Sequence, residues 1–483
     1  MKIDNLFKDI AKENYNLKDN IEINRLVSNS SQVKNGDLFI AIKGKCHNGH
    51  NYIDAALTNG ANAAVVEDIT EKIKNYPIIK VDNSRTALSK LSANFYDHPS
   101  KKLKIIGVTG TNGKTTTTFL LNKYINQIGR KCGSIGTLGV SGIKKKYSGF
   151  TTPEPIELHE LLNSFLKNNF THIAMEISSH SISLKRVADL NLDVGVFTNL
   201  SEDHLDFHNT MQEYFNAKLE LFLNIPRNGC AVINVDNKYG EMIIDSIKSN
   251  VITYGFNTEA DIYPITYKTN SKGTEIKLNM MGEIFSITSK IFGRYNVENI
   301  MACLGASVAI GLKNESKKNI ELDYSIPGRI ENIGTKKYNV IIDYAHSPDA
   351  FESVLKEIYN MKNEKNKIFT LFGCGGDRDK HKRPKMGEIA EKYSSKLFIT
   401  SDNPRTEKVD DIIDDIKLGI KKQNNIQIEI NRKKSIISAL SQMDQNTILL
   451  ILGKGRENYQ IINGVKENHS DVKIVKEYIQ NES

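Results

Sequence analysis

No stretch of this sequence approaches the roughly 18 unbroken apolar residues that a membrane-spanning helix needs. The first residues, MKIDNLFKDIAKEN, interleave charged and apolar side chains and form no signal-peptide core. A soluble, cytoplasmic protein without membrane insertion is therefore expected. Cysteine is scarce and scattered: five residues, Cys46, Cys132, Cys230, Cys303 and Cys374, odd in number and without a C-x-x-C pair. That argues against a disulfide framework or a zinc site and fits a reducing compartment. Zinc-finger spacing and an RNP-like aromatic pattern are also missing, so no nucleic-acid partner is expected. The formal net charge of +8 suits anionic ligands such as nucleotides, and equally a lysine-rich solvated surface, as in KNEKNK. Internal repeats and low-complexity tracts are absent.

What is present is alternation. A length of 483 residues suggests two to four domains. Apolar strand-like runs alternate with amphipathic helical stretches, the pattern of an α/β protein. Residues 1–98 form a first, smaller α/β unit with DLFIAIKG as its clearest strand. The break YDHPSKK opens a second unit, 99–326, with strands in KIIGV, HIAMEIS, DVGVFTN, CAVINV and VITYG. The polar turn SIPGRIEN opens a third, 327–483, with NVIIDYAH, IFTLFGCGG, KLFITSDN and TILLILGKG. Most polar clusters follow the ends of these strands, where parallel sheets gather ligands.

GVTGTNGKTTTT, residues 107–118, follows the strand KIIGV and precedes helix-forming residues. The common phosphate-loop pattern G-x-x-x-x-G-K-[ST] would require glycine at Val108, whereas Gly107 and Gly110 flank that position. Gly113, Lys114 and Thr115 complete the pattern. Backbone N–H groups of Gly110, Thr111, Asn112, Gly113 and Thr116, with the helix N-terminus, are expected to hold phosphate. Lys114 would reach the β- and γ-phosphates, and the Thr115 hydroxyl Mg²⁺. A glycine-rich turn before a helix is the plainer alternative. Downstream, Glu176 ends the strand in MEISSH, where a carboxylate beside the loop threonine would suit a hard cation.

The variant TGTNGKTT resembles the Mur ligase family, ATP-dependent enzymes that join amino acids to a wall precursor. That family also includes folylpolyglutamate synthetases, and the resemblance extends over nearly the whole chain. It implies a central phosphate-loop ATPase-like parallel sheet, a Rossmann-like C-terminal domain and a smaller N-terminal domain that binds a UDP-linked precursor. It further implies Glu176 as a Mg²⁺ ligand with Thr115, and Ser178 and Arg186 as contacts to the precursor; Leu184 stands where close relatives often carry Gln. TNLSEDHLDFHNTMQEYFNAKLELF resembles the family segment that carries a metal-proximal histidine, here His204, and a carbamylated lysine, here Lys218. A lone helical lysine is otherwise a solvated cation. Ser30, in VSNSSQVKNGDLFIAIKG, and the loop of Lys45, Cys46 and His47 fall in the uridine-end module. Thr151 and Thr152, in TTPEP, add to precursor binding.

Asn296 and Asn299 stand i, i+3 on one helix face in FGRYNVENIMA. The family uses the position of Asn296 to read adenine and that of Arg329 near the ATP phosphates. Asp343, at a strand end, is placed to accept from ribose hydroxyls, or to cap its loop. GCGGDRDKHKRP carries Arg378, and SDNPRTE carries Asp402, Asn403, Pro404 and Arg405. Asn-Pro stiffens that loop, making Arg405 a fork for a carboxylate. D-N-P-R resembles the diaminopimelate-adding type, whose substrate, unlike lysine, has a distal carboxylate. LGKGRENYQ resembles the family loop G-K-G-H-E, with Gly453 and Glu457 at amino-acid-binding positions and Arg456 in place of histidine.

The expected activity is an ATP- and Mg²⁺-dependent amide ligase acting, as a monomer, on UDP-N-acetylmuramoyl-L-alanyl-D-glutamate and meso-diaminopimelate. A same-fold ligase using L-lysine or another amino acid is the nearest alternative, and a phosphate-loop regulatory NTPase a more distant one. An N-K-x-D guanine-recognition motif does not occur.

Overall fold

The computed structural model describes residues 1–18, 20–44, 47–145, 147–270, 272–312, 318–335 and 337–482. Lys45 and Cys46 lie outside the described residues.

Among the described residues three large sheets follow one another along the chain, with a fourth, two-stranded one of Tyr459–Ile462 and Val465–Asn468 beside the last. The first runs in space Glu13–Tyr15, Ile78–Lys80, Ala61–Val66, Asp37–Ile40, Leu26–Val27. Only Glu13–Tyr15 is antiparallel to its neighbour. Leu38, Ile40, Ala63 and Val65 pack in one apolar cluster and Phe39, Ala64 and Val66 in another. Period-two alternation thus fills both faces, as a mostly parallel sheet requires.

The central sheet has eleven strands. Its parallel part runs Asn250–Tyr254, Cys230–Asn234, Val194–Phe197, Lys104–Thr109, His172–Glu176, Cys132–Gly136. The sequence reading named no strand beyond VITYG in this unit. The structure adds an antiparallel meander there, Ile262–Asn270, Gly273–Met280 and Glu283–Ser289. Its available signal was the burial-compatible alternation of GTEIKLNM before Met281 and Gly282, which both take positive φ. Two such residues make the turn whose twist matches paired antiparallel strands.

The third sheet places the short antiparallel Glu331–Asn332 beside five parallel strands, Asn339–Asp343, Thr447–Leu452, Lys367–Phe372, Lys396–Ile399 and Ile426–Ile428. Thr447–Leu452 is buried at every position, the continuous apolar run of an inner parallel strand. Phe351, Leu355 and Met386 cover one side, and Ile436, Leu440 and Val475 the other. Each fully buried Leu or Phe contributes about 1.5–3 kcal/mol. The doubly wound order brings the ends of several strands, and the loops after them, to one rim.

Candidate active site

The phosphate-loop helix Lys114–Gln127, like the helix Arg294–Ala309 packed against it, starts at a glycine without a side-chain cap. Helices Ser84–Phe95, Met211–Leu223 and Asp471–Asn481 begin at side-chain caps, Asn83, Thr210 and Ser470. Lys114–Gln127 begins at Gly113, φ 86°, with no side-chain cap. Its first N–H groups therefore meet no capping side chain, the arrangement that favours an anion. Gly110 has φ 151°, and a Cβ there would lie 1.9 Å from Thr198 Oγ1; at Gly113 one would lie 2.4 Å from Asn299 Oδ1. Val108 is fully buried within the strand, so the loop proper begins at Gly110. The loop is braced from the neighbouring strand end: Thr198 Oγ1 donates to Asn112 O at 2.6 Å, and Asn199 Oδ1 accepts from Asn112 N at 2.9 Å. Thr111 N–H donates to Asn199 O, and its hydroxyl meets Tyr214 OH at 3.1 Å. Thr116 is buried in the first helical turn. Lys114 Nζ folds back onto Gly110 O (2.8 Å) and Thr111 O (2.9 Å), and burial lowers its pKa.

Glu176 is buried and receives four hydrogen bonds. Thr115 Oγ1 donates to Oε2 at 2.9 Å, Thr137 N to Oε1 at 2.8 Å and Thr137 Oγ1 to Oε2 at 3.2 Å, while Thr152 Oγ1 donates to the main-chain oxygen at 2.9 Å. Thr152 Oγ1 in turn accepts from Ser178 N, and Thr152 O accepts from Arg186 Nη1 at 3.0 Å. Arg186 also pairs with Glu154 at 2.6 Å and lies over the Phe150 ring, while its Nε is buried without a partner. Thr151 Oγ1 meets Thr137 Oγ1 at 3.3 Å, and Ser178 caps the short helix Ser179–Ser183. Five residues singled out from sequence therefore form one connected group around Glu176, with Thr137 added by strand adjacency.

Lys218 lies on the buried face of its helix with Tyr214, Leu221 and Phe222, contrary to the solvated position usual for a helical lysine. Its ammonium is 3.5 Å from Thr109 Oγ1 and 4.6 Å from the Tyr214 ring centroid. Burial, reinforced by the Lys114 charge, drives its pKa well below the ordinary lysine value. His204, φ 56°, stands with its ring 3.7 Å from Asp203 and edge-on to His180. Burial keeps that imidazole neutral at ordinary pH.

Asn296 and Asn299 are both buried and joined: Asn299 Nδ2 donates to Asn296 Oδ1 at 3.1 Å, and Asn296 Nδ2 to Phe292 O. Arg329 crosses from the third unit to donate to Thr115 Oγ1 at 3.2 Å and stacks on Tyr344. Asp343 is committed to the backbone, Oδ2 accepting from Ile330 N and Oδ1 from Ala345 N, each at 2.7 Å. Loop capping thus accounts for both of its oxygens, and burial raises its pKa.

Around the third sheet's rim, residues more than fifty positions apart converge. Asn403 Nδ2 donates to Glu457 Oε2 at 3.1 Å, and Asn403 Oδ1 accepts from Ile461 N and from Lys454 Nζ. Tyr344 OH donates to Glu457 Oε1 at 3.2 Å. Gly453 takes φ 107°, and a Cβ there would meet Asp402 Oδ2 at 2.6 Å. Arg405, φ 53°, follows Pro404 and donates Nη1 to Gly376 O at 2.5 Å. Arg378 is half-exposed and reaches Asp206 of the central unit at 3.5 Å. Arg456 forms an ion pair with Glu331.

Beneath these loops lie two buried arginines that sequence reasoning missed. Arg383 pairs with Glu407 and Asp415 and donates to Gly375 O. Arg432 makes a two-pronged pair with Asp471 (2.9 and 2.8 Å) and donates to Ser401 O and Leu452 O, the residues just before Asp402 and Gly453. Burial would raise Asp471, but Arg432 and His469 hold it well below the carboxylate range. Lys454 was missed as well. Ser30 sits apart: it occupies a turn capped by Asn29, hydrogen-bonded within the first unit.

Models of the Mur ligase family catalytic domain, the Mur ligase middle domain and the Mur ligase glutamate ligase domain match residues 22–96, 108–307 and 328–455. A Clostridium acetobutylicum protein described as UDP-N-acetylmuramoyl-L-alanyl-D-glutamate--2,6-diaminopimelate ligase 1 is 41% identical over 486 residues, covering 99% of each chain. A ligase of the same description from Clostridioides difficile is 40% identical over 484 residues, again covering 99% of each. A solved structure of such a ligase is 30% identical, with a TM-score of 0.65 over 95% of each chain. The MurF ligase of Thermotoga maritima, solved with ADP, shares the fold at 19% identity and a TM-score of 0.63, over 96% of this chain and 99% of that one.

Proposed function

This chain belongs to the Mur ligase family, and from that premise we propose that it joins meso-2,6-diaminopimelate to UDP-N-acetylmuramoyl-L-alanyl-D-glutamate, converting ATP to ADP and phosphate. The observation that carries the choice of amino acid is that Asn403 binds Glu457 through its amide and meets Arg405 Nη1 through its main-chain oxygen, at 3.5 Å. A guanidinium and a carboxylate held by the same asparagine suit an end that bears both a carboxylate and an ammonium. The relatives described as diaminopimelate ligases support the same choice.

The γ-carboxylate of the D-glutamyl residue attacks the γ-phosphorus, ADP leaves, and an acyl phosphate forms. The diaminopimelate amine then attacks the acyl carbon, phosphate leaves, and the amine's proton passes to solvent. The N–H groups of Thr111 and Asn112 are given to Asn199, so these two residues shape the loop rather than donate as expected. The backbone N–H groups of residues 113–116 hold the phosphates, with Gly110 making the turn, and Lys114 swings from the loop carbonyls to the transferring phosphoryl group. Arg329 adds charge from the third unit, and Asn296 orients the base. Asp343 shapes the ribose loop. Thr151, Thr152, Ser178 and Arg186 hold the precursor near Glu176, and Ser30 its uridine end. Arg378, Asp402, Asn403, Arg405, Gly453 and Glu457 hold the amino acid on a loop stiffened by Pro404.

The oxygens of Thr115 and Glu176, 2.9 Å apart, fit Mg²⁺. His204 and Lys218 form a neighbouring set, which suits a cation only once Lys218 is carbamylated: its neutral amine adds to CO₂ and releases a proton, giving an anionic ligand. Mg²⁺ offsets the charge of the phosphates when bound. The units are taken as 1–98, 99–326 and 327–483, and the protein as a cytoplasmic monomer; among the described residues no helix is long and apolar enough to cross a membrane.

The test is phosphate release with ATP, Mg²⁺ and the UDP-precursor, comparing meso-diaminopimelate with L-lysine. Release that requires the precursor and prefers diaminopimelate is expected. Equal rates, or lysine preferred, would overturn the choice of amino acid.

A further inference from the structure

Lys454 stands between Gly453 (φ 107°) and Gly455 (φ 51°), both in the left-handed region, and this tight turn sends its side chain inward until none of it is exposed. Its ammonium lies 2.9 Å from Glu457 Oε2, 3.2 Å from Asn403 Oδ1 and 3.7 Å from Asp402 Oδ1. A buried cation is tolerated only with such partners. Glu457 is correspondingly occupied: Oε2 accepts from Lys454 and Asn403, Oε1 from Tyr344 (3.2 Å) and, more weakly, Tyr459 (3.5 Å).

Resting on the diaminopimelate reading above, we propose that Lys454 is a specificity-determining residue that rejects amino acids whose far end carries an ammonium without a carboxylate. Arg378 is paired with Asp206, while Lys454 sits between the carboxylates of Asp402 and Glu457, so Lys454 is the cation that neutralises the carboxylate an incoming ammonium would meet. A far end with both carboxylate and ammonium adds no net charge and offers Arg405 its partner. A bare ammonium meets a Glu457 already paired with Lys454 and adds a positive charge beside that buried cation, where solvent screens poorly. Without Lys454, Glu457 Oε2 loses its cationic partner and becomes an open acceptor for that ammonium. Arg405 would reward the right substrate, and Lys454 would act against the wrong one, the two halves of discrimination.

The full-length protein tests this, with phosphate release measured on ATP, Mg²⁺ and the UDP-precursor for wild type, Lys454→Met and Lys454→Gln. The expected result is a fall of roughly tenfold or more in the diaminopimelate-to-lysine ratio of kcat/KM. KM for ATP and for the precursor should stay near the wild-type values. Lys454→Gln retains hydrogen-bonding reach without charge, so it decides the matter if the Met variant does not fold. Equal losses on both amino acids, an unchanged ratio, or a shift in the Met variant alone would overturn the proposal. A wild type that prefers diaminopimelate while both variants keep its ratio refutes only the role of Lys454. A wild type that does not use diaminopimelate refutes the underlying reading.

Discussion

At the phosphate loop, Lys114 donates to two carbonyls of its own loop and Lys218 approaches one hydroxyl at 3.5 Å; at the amino-acid loops, Lys454 meets two carboxylates and an amide oxygen. Neither central lysine forms an ion pair among the described residues. The central lysines are thus buried without a carboxylate partner, and burial disfavours their charged forms until an anion is beside them. The rim site is internally paired, so a ligand enters it by exchange. An unmatched site gains affinity from charge itself, whereas a matched one gains little net energy and turns its charges to discrimination.

Removing Lys218 should break this contrast most severely. Lys218→Ala is expected to lower phosphate release by about 10²–10³-fold, the scale of losing one charge-organising group in a dry site. Wild-type protein in ¹³C-bicarbonate should show a carbamate carbon signal that the variant lacks. Full activity in the variant would mean that the buried amine is not waiting for a charge at all. Arg405→Ala comes next, raising KM for diaminopimelate roughly 10- to 100-fold while leaving KM for ATP unchanged; a parallel rise in both would show that the two sites are not separately balanced. Arg456→Ala should do least. Its pair with Glu331 lies at a partly exposed edge, so stability should change by no more than about 1 kcal/mol in denaturant melts. A larger loss would extend the paired network outward.

The sequence made the phosphate site legible because its chemistry is local. Gly110, Gly113, Lys114 and Thr115 lie within six residues, and the structure explains both glycines by contacts a Cβ would violate. Glu176 was legible as a strand end, yet Thr137 was not, since nothing in its own neighbourhood announces that the strand just before it, Cys132–Gly136, pairs beside that of Glu176. Lys454 illustrates the same limit. A lysine between two glycines reads as a solvated loop residue, and its burial is decided by Asp402 and Asn403, about fifty positions earlier. Asp343 shows the opposite error: a strand-end carboxylate has an obvious ligand reading, while here both oxygens serve backbone N–H groups across a thirteen-residue gap and within its own loop. The antiparallel meander escaped notice because its half-exposed strands lack the apolar runs that mark the parallel core.

The pair between Arg432 and Asp471 has a consequence in time. Ser401 and Leu452, whose carbonyls Arg432 holds, precede Asp471 in the chain. During synthesis both loops leave the ribosome before the carboxylate that fixes their anchor, whereas the phosphate loop and its braces at Thr198 and Asn199 emerge far earlier. The phosphate loop and its braces are thus complete in the growing chain before the anchor of the amino-acid loops exists.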